Sequence, residues 1–167
     1  SVGCQDKRDL ISISKNLNLN FNSCDCKKAS FNNPSDLRAA VILWIEDEPS
    51  ARNKYGDISC WDVSGEKDMS WMFAGATSFD QDISNWDVSG VKDMSYMFYG
   101  ATIFDQDISS WDVSGVTNMS SMFQGATDFT GDISGWNVSI VENMSSMFAG
   151  ATSFDGDISS WDVSQVT

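Results

Sequence analysis

Residues 86–110 read W-D-V-S-G-V-K-D-M-S-Y-M-F-Y-G-A-T-I-F-D-Q-D-I-S-S, and the next residue, Trp111, begins nearly the same text again. Tryptophan recurs at Trp61, Trp86, Trp111, Trp136 and Trp161, always 25 residues apart. Four complete copies and the first seven residues of a fifth are present. A unit this short cannot bury its apolar side chains alone. Stacked copies can, so the period predicts a repeat solenoid.

Two segments of the unit carry different patterns. Ile83, Trp86 and Val88 suit a short strand, with Trp86 and Val88 alternating about Asp87. Met94, Met97, Phe98 and Ala101 fall at i, i+3, i+4 and i+7, the stripe of a short helix or 3₁₀ turn. Asp93, replaced by Asn118 and Asn143 in later copies, suits its N-cap, and Gly100 suits a left-handed stop. The expected fold class is therefore an α/β solenoid like that of leucine-rich repeats, with short parallel strands on one face and short helical turns on the other. All eight methionines occupy the stripe. With the aligned tryptophans and phenylalanines they read as a packed spine rather than as a binding groove or sugar platform.

Residues 1–60 read as a separate cap and residues 61–167 as the array. In the cap, Ser35 is placed to start a helix running to about Ile45, with Leu37, Ala40, Val41 and Trp44 on its apolar face and Pro49 beyond its end. Residues 55–60 match the end of a repeat unit. Cys4, Cys24, Cys26 and Cys60 all precede the regular repeats, as expected of a disulfide-stapled cap in an oxidising compartment. Cys24 and Cys26 are too close to pair comfortably with each other, which favours Cys4 with one of them and Cys60 with the other. Zinc held by four thiolates is the competing reading, although a paired C-x-x-C spacing is lacking. The first residues do not form a basic-then-apolar leader, so any such peptide is expected to have been removed. Chain termination mid-unit at Thr167 suggests an open end suited to self-association.

Charge narrows the partners. The formal net charge is −14. Residues 1–60 balance, while residues 61–167 carry sixteen acidic side chains against Lys67 and Lys92. Phosphate backbones and anionic membranes are disfavoured, and no apolar run is long enough for a membrane span. Protein or carbohydrate at a cell surface or matrix remains the expected partner.

Stacking turns single residues into columns spaced by about 4.8 Å. Asp57, Asp82, Asp107, Asp132 and Asp157 form one; Asp62, Asp87, Asp112, Asn137 and Asp162 form another; Asp80, Asp105 and Asp155 form a third, interrupted by Thr130. Carboxylates at that spacing repel by about 1 kcal/mol per pair in water, so each needs solvent or a partner. For the first column a backbone N–H in a turn is the simpler partner. Calcium is the alternative, held by Asp80, Asp82, Asp105, Asp107, Asp155 and Asp157; no other cofactor is expected. The Asp62 column flanks inward-facing residues, should point outward, and is the candidate ligand face.

Serines at Ser64, Ser89, Ser114, Ser139 and Ser164 could be nucleophiles only with a base, and the chain has no histidine. A column of identical carboxylates gives no division into acid and base for glycoside hydrolysis. An enzyme is not expected. Ice binding is disfavoured too, since the columns are Asp and Ser rather than Thr. Sequons place candidate glycosylation at Asn118, Asn137 and Asn143.

The pattern W-D-V-S-x-V-x-D/N-M-S-x-M-F-x-G-A-x-x-F-x-x-D-I-S, running from Cys60 to the end, resembles the BspA-type leucine-rich-repeat surface proteins, in their 25-residue class of unassigned function. The resemblance implies a secreted or surface protein associated with adhesion, a strand-and-turn solenoid, and no catalytic residues. The function expected is a non-catalytic extracellular recognition or adhesion module. A structural subunit of a fibre, appendage or cell wall, calcium-assisted, is the alternative. The cysteine-bearing cap departs from the family pattern.

Overall fold

The computed structural model describes residues 29–31 and 34–167. Helix α1 spans Pro34–Glu46 and buries Leu37, Ala40, Val41 and Trp44, the face that the spacing predicts. It begins at Pro34, so Ser35 lies inside its first turn. Pro49 does not merely end it. Asp47 accepts a hydrogen bond from the Ser50 amide, and Pro49 then sits at the start of a second helix, α2, Glu48–Tyr55. A single 3₁₀ turn follows at Ile58–Cys60. Trp44, Tyr55 and Phe31 close edge-on or tilted around Trp61, with ring centroids 5.3–5.8 Å away. This aromatic cluster docks the helices on the first repeat.

The array corrects the α/β reading. Among the described residues there are no strands, only isolated parallel bridges joining Ser30 to Asp62 and running Asp68–Asp93–Asn118–Asn143. The repeats contain no helix either. Each coil is a succession of turns. Trp86-Asp87-Val88 does not extend, because the Trp86 amide donates back to Ile83 O and the Asp87 side chain folds the next two residues into a turn.

The ladder between coils lies instead on the methionine segment. Amides of Met69, Trp71, Phe73 and Gly75 donate to carbonyls of Asp93, Ser95, Met97 and Tyr99 at 2.6–3.0 Å. The intervening amides of Met72, Ala74 and Ala76 close three-residue turns within their own coil. Alternation of this kind needs the chain to reverse hand twice per coil. Trp71, Tyr96, Ser121 and Ser146 have φ of 53–61°, and Gly75, Gly100, Gly125 and Gly150 have φ of 65–76°. A second, smaller set runs the other way, from the Lys92, Thr117 and Glu142 amides to Lys67, Lys92 and Thr117 carbonyls.

Inside, two phenylalanine ladders carry the packing. Phe73, Phe98, Phe123 and Phe148 stack at 5.5–5.8 Å, and Phe79, Phe104, Phe129 and Phe154 at 5.9–6.1 Å. Each fully buried ring contributes roughly 1.5–3 kcal/mol of transfer free energy. The indoles of Trp86, Trp111, Trp136 and Trp161 reach back to the Ile carbonyl of the coil before, at 2.9–3.2 Å. Seven of the methionines are buried or nearly so, as a spine requires, and Met144 packs against them. A threonine column, Thr77, Thr102, Thr127 and Thr152, links coils through hydroxyl-to-carbonyl bonds of 3.0–3.4 Å.

Candidate functional site

The Asp62 column is exposed along its whole length. Its carboxylates are held by their own coils. Oδ1 of Asp62, Asp87 and Asp112 each accepts the amide and the hydroxyl of the serine two residues on, at 3.0–3.2 and 2.6–2.7 Å. Asn137 and Asp162 accept the Ser139 and Ser164 amides. These are Asx turns, in which a short polar side chain substitutes for a backbone carbonyl. Ser64, Ser89 and Ser114 are thereby spent as turn donors. The serine hydroxyl and then its amide hold Asp87, Asp112 and Asp162 below the usual carboxylate range; for Asp87, Asp62 and Asp112 oppose this by repulsion.

The first column repeats the device. Asp57, Asp82, Asp107, Asp132 and Asp157 accept the amides of Ser59, Ser84, Ser109, Ser134 and Ser159 at 2.9–3.0 Å. Asp57 also pairs with Arg52. The third column differs. Asp80 accepts the Asp105 amide and the Gln106 side chain, and Asp105 accepts the Thr130 amide and hydroxyl. Those carboxylates clasp one coil to the next. Among the described residues no group of three His, Cys, Asp or Glu side chains is placed to hold a metal ion.

At the cap end, Trp61, Asp62, Ser64, Asn85 and Asp87 line a shallow concavity of about 420 Å³. The Trp61 indole N–H is buried and lacks a partner among the described residues. Cys60 is not a free thiol; the pairing of Cys4, Cys24, Cys26 and Cys60 lies outside the described residues. Of the sequons, Asn137 is exposed, Asn143 is half-buried, and Asn118 donates its amide to Asp93 while Ser120 is buried.

Two features escape the sequence reading. Glu66 occupies the position filled by Val91, Val116 and Val141 in later coils. It is buried, its Oε2 has no partner among the described residues, and burial pushes its carboxyl above the ordinary range against the pull of Arg38. The second is an aromatic group on the outside of the ladder. Trp71 is 53% exposed and lies flat on Tyr96, centroids 4.0 Å apart and 7° from parallel. Tyr99 is tilted beside both at 5.8–6.0 Å. The signal available was that Trp71 stands outside the 25-residue tryptophan period.

Residues 49–116 and 104–167 match a family described as Mycoplasma protein of unknown function, DUF285. The chain belongs to that family. The two matches together run from Pro49, in the first turn of α2, through the whole coil stack. No curated protein and no solved structure matches the chain.

Proposed function

We propose that the chain is a non-catalytic, extracellular recognition or adhesion module that presents the acidic and polar face of its coil stack. One observation carries this reading: the Asp62, Asp87, Asp112, Asn137 and Asp162 column is exposed throughout, with each side chain fixed by an Asx turn on a rigid core. A preset row of acceptors loses little conformational entropy on contact with a partner. The absence of histidine from the sequence and the use of the column serines as turn donors support a role in binding over one in catalysis. The cysteine cluster ahead of the repeats supports an oxidising, extracellular setting. The resemblance to BspA-type surface proteins supports the same assignment.

The test is solution mass by light scattering, in calcium and then in chelator, followed by binding to immobilised extracellular-matrix protein and polysaccharide. A small discrete species whose binding falls on Asp87→Lys and Asp112→Lys substitution upholds the reading. Large assemblies that dissolve in chelator would replace it with a calcium-assisted structural subunit.

A further inference from the structure

We propose that Asn137 is an N-glycosylation site, and that of the three sequons it alone carries a glycan in the folded protein. The proposal rests on the extracellular setting of the reading above but not on its ligand.

The sequence offers three equal acceptors, and the fold makes them unequal. Asn118 and Asn143 stand in the ladder between coils, in the run of parallel bridges that begins at Asp68. Their carbonyls accept the Met94 and Met119 amides at 2.9 and 2.8 Å. Asn118 is half-buried, its Nδ2 donates to Asp93 Oδ2 at 3.1 Å, and Ser120 is buried. A sugar on that nitrogen meets the coil to which Asp93 belongs. Asn143 is half-buried too, and its Oδ1 holds both the amide and the hydroxyl of Ser145, at 2.9 and 2.8 Å. A bulky, hydrated glycan has no place inside a backbone ladder; it needs an exposed turn or loop.

Asn137 lies off the ladder. It is exposed between buried Trp136 and Val138, and among the described residues its backbone makes no bond to another coil. Its Oδ1 accepts the Ser139 amide at 3.2 Å, closing the turn that Asp87 and Asp112 close in earlier coils. That bond fixes the side chain by its oxygen. Among the described residues no hydrogen bond engages its Nδ2 or the Ser139 hydroxyl, whereas the Ser89 and Ser114 hydroxyls donate to their carboxylates at 2.6 Å. At the same position the other coils carry Asp62, Asp87, Asp112 and Asp162, so the fold does not require an amide nitrogen here. Asparagine in this coil keeps the turn and adds an acceptor for sugar.

The donor is an oligosaccharide joined to a lipid pyrophosphate. The Nδ2–C1 bond forms as the C1–O bond breaks, the lipid pyrophosphate leaves with that electron pair, and Nδ2 loses one proton. A glycan at Asn137 stands on the column itself and leaves Asp62, Asp87 and Asp112 as its uninterrupted acidic run.

The experiment takes the full chain secreted by a eukaryotic host cell and removes its glycan with a glycan-cleaving amidase in heavy-oxygen water. Peptide mass spectrometry then locates each asparagine converted to labelled aspartate. The expected result is label at Asn137 and none at Asn118 or Asn143. Asn137→Asp installs the residue of the other coils, so the chain folds, and the glycan mass is lost. Ser139→Ala keeps the asparagine and the turn amide but removes the hydroxyl that the sequon needs, and should lose the glycan as well; Ser139→Thr should retain it. An unlabelled Asn137 in the secreted parent overturns the proposal. Label at Asn118 or Asn143 equal to that at Asn137 overturns selection by the fold. The same preparation enters the matrix-binding test. An unmodified Asn137 in a chain that binds removes this proposal alone, and a modified Asn137 in a chain that binds none of the matrix probes upholds it and removes the recognition reading alone.

Discussion

The aspartates of the coil stack are structural before they are anything else. Each Oδ1 that accepts a serine amide closes a turn, so Asp87→Asn should be nearly neutral, as Asn137 already does the work in the fourth coil. Asp87→Ala removes the acceptor and should cost about 1 kcal/mol by urea denaturation, the size of a lost cap. The pH dependence follows with opposite signs at two kinds of site. Asp87, Asp107 and Asp112 have lowered folded values, so their contribution is present above the unfolded value of about 3.9 and is lost as pH falls through the folded value. Glu66 is raised by burial, so stability is greatest below its unfolded value of about 4.3 and declines as pH rises through the folded value. A plot of urea midpoint against pH should therefore pass through a maximum. Glu66→Val, which restores the residue of later coils, should abolish the decline on the alkaline side and raise stability at neutral pH by on the order of 1–3 kcal/mol. An unchanged alkaline limb would disprove the assignment to Glu66.

At the scale of the element, the sequence was legible in its apolar positions and illegible in its backbone. Met94, Met97, Phe98 and Ala101 are buried as the stripe requires, yet the segment is a ladder of turns. A turn run with a left-handed residue every fourth position places side chains at the same i, i+3, i+4 and i+7 spacing as a helix. Only the handedness distinguishes them, and Trp71 and Tyr96 do not advertise a positive φ as Gly100 does. The supposed strand failed for a related reason. Trp86 and Val88 alternate correctly, but Asp87 captures the Ser89 amide, and that local bond competes with extension. The acidic columns were visible in the text and their turn-capping use was anticipated for one of them. That a second column caps turns as well, and that a third clasps coils, depends on how each coil turns and stacks on the next, which residue spacing alone does not encode. Trp111→Phe tests the tryptophan staple. It keeps most of the ring and leaves the buried Ile83 carbonyl with the Trp86 amide as its remaining donor, which should lower stability by roughly 0.5–1.5 kcal/mol in thermal unfolding.

Over the whole molecule, stability is shared between neighbours. The phenylalanine ladders pass through every coil, so Phe123→Ala, in contact with Phe98, Phe129 and Phe148, should cost about 3–5 kcal/mol. Deleting residues 101–125, one full period, should instead leave a folded chain with a smaller denaturant slope, because Gly100 then meets Ala126 in register. Circular dichroism and urea titration would show whether a whole coil is a better unit of removal than a single ring.

The direction of the ladder has a consequence for how copies of such a stack could meet. Met69, Trp71, Phe73 and Gly75 all point their amides at the following coil, and the carbonyls they reach all point back. The aligned peptide dipoles add along the axis, and a smaller opposing set, from the Lys92, Thr117, Asp128, Glu142, Ser153 and Thr167 amides, offsets them in part. One pole of the stack is rich in donors and the other in acceptors. A copy turned end over end would set like against like, so a two-fold axis cannot continue this ladder, whereas translation along it can. The fold carries a polarity, like an arrow, in its main chain.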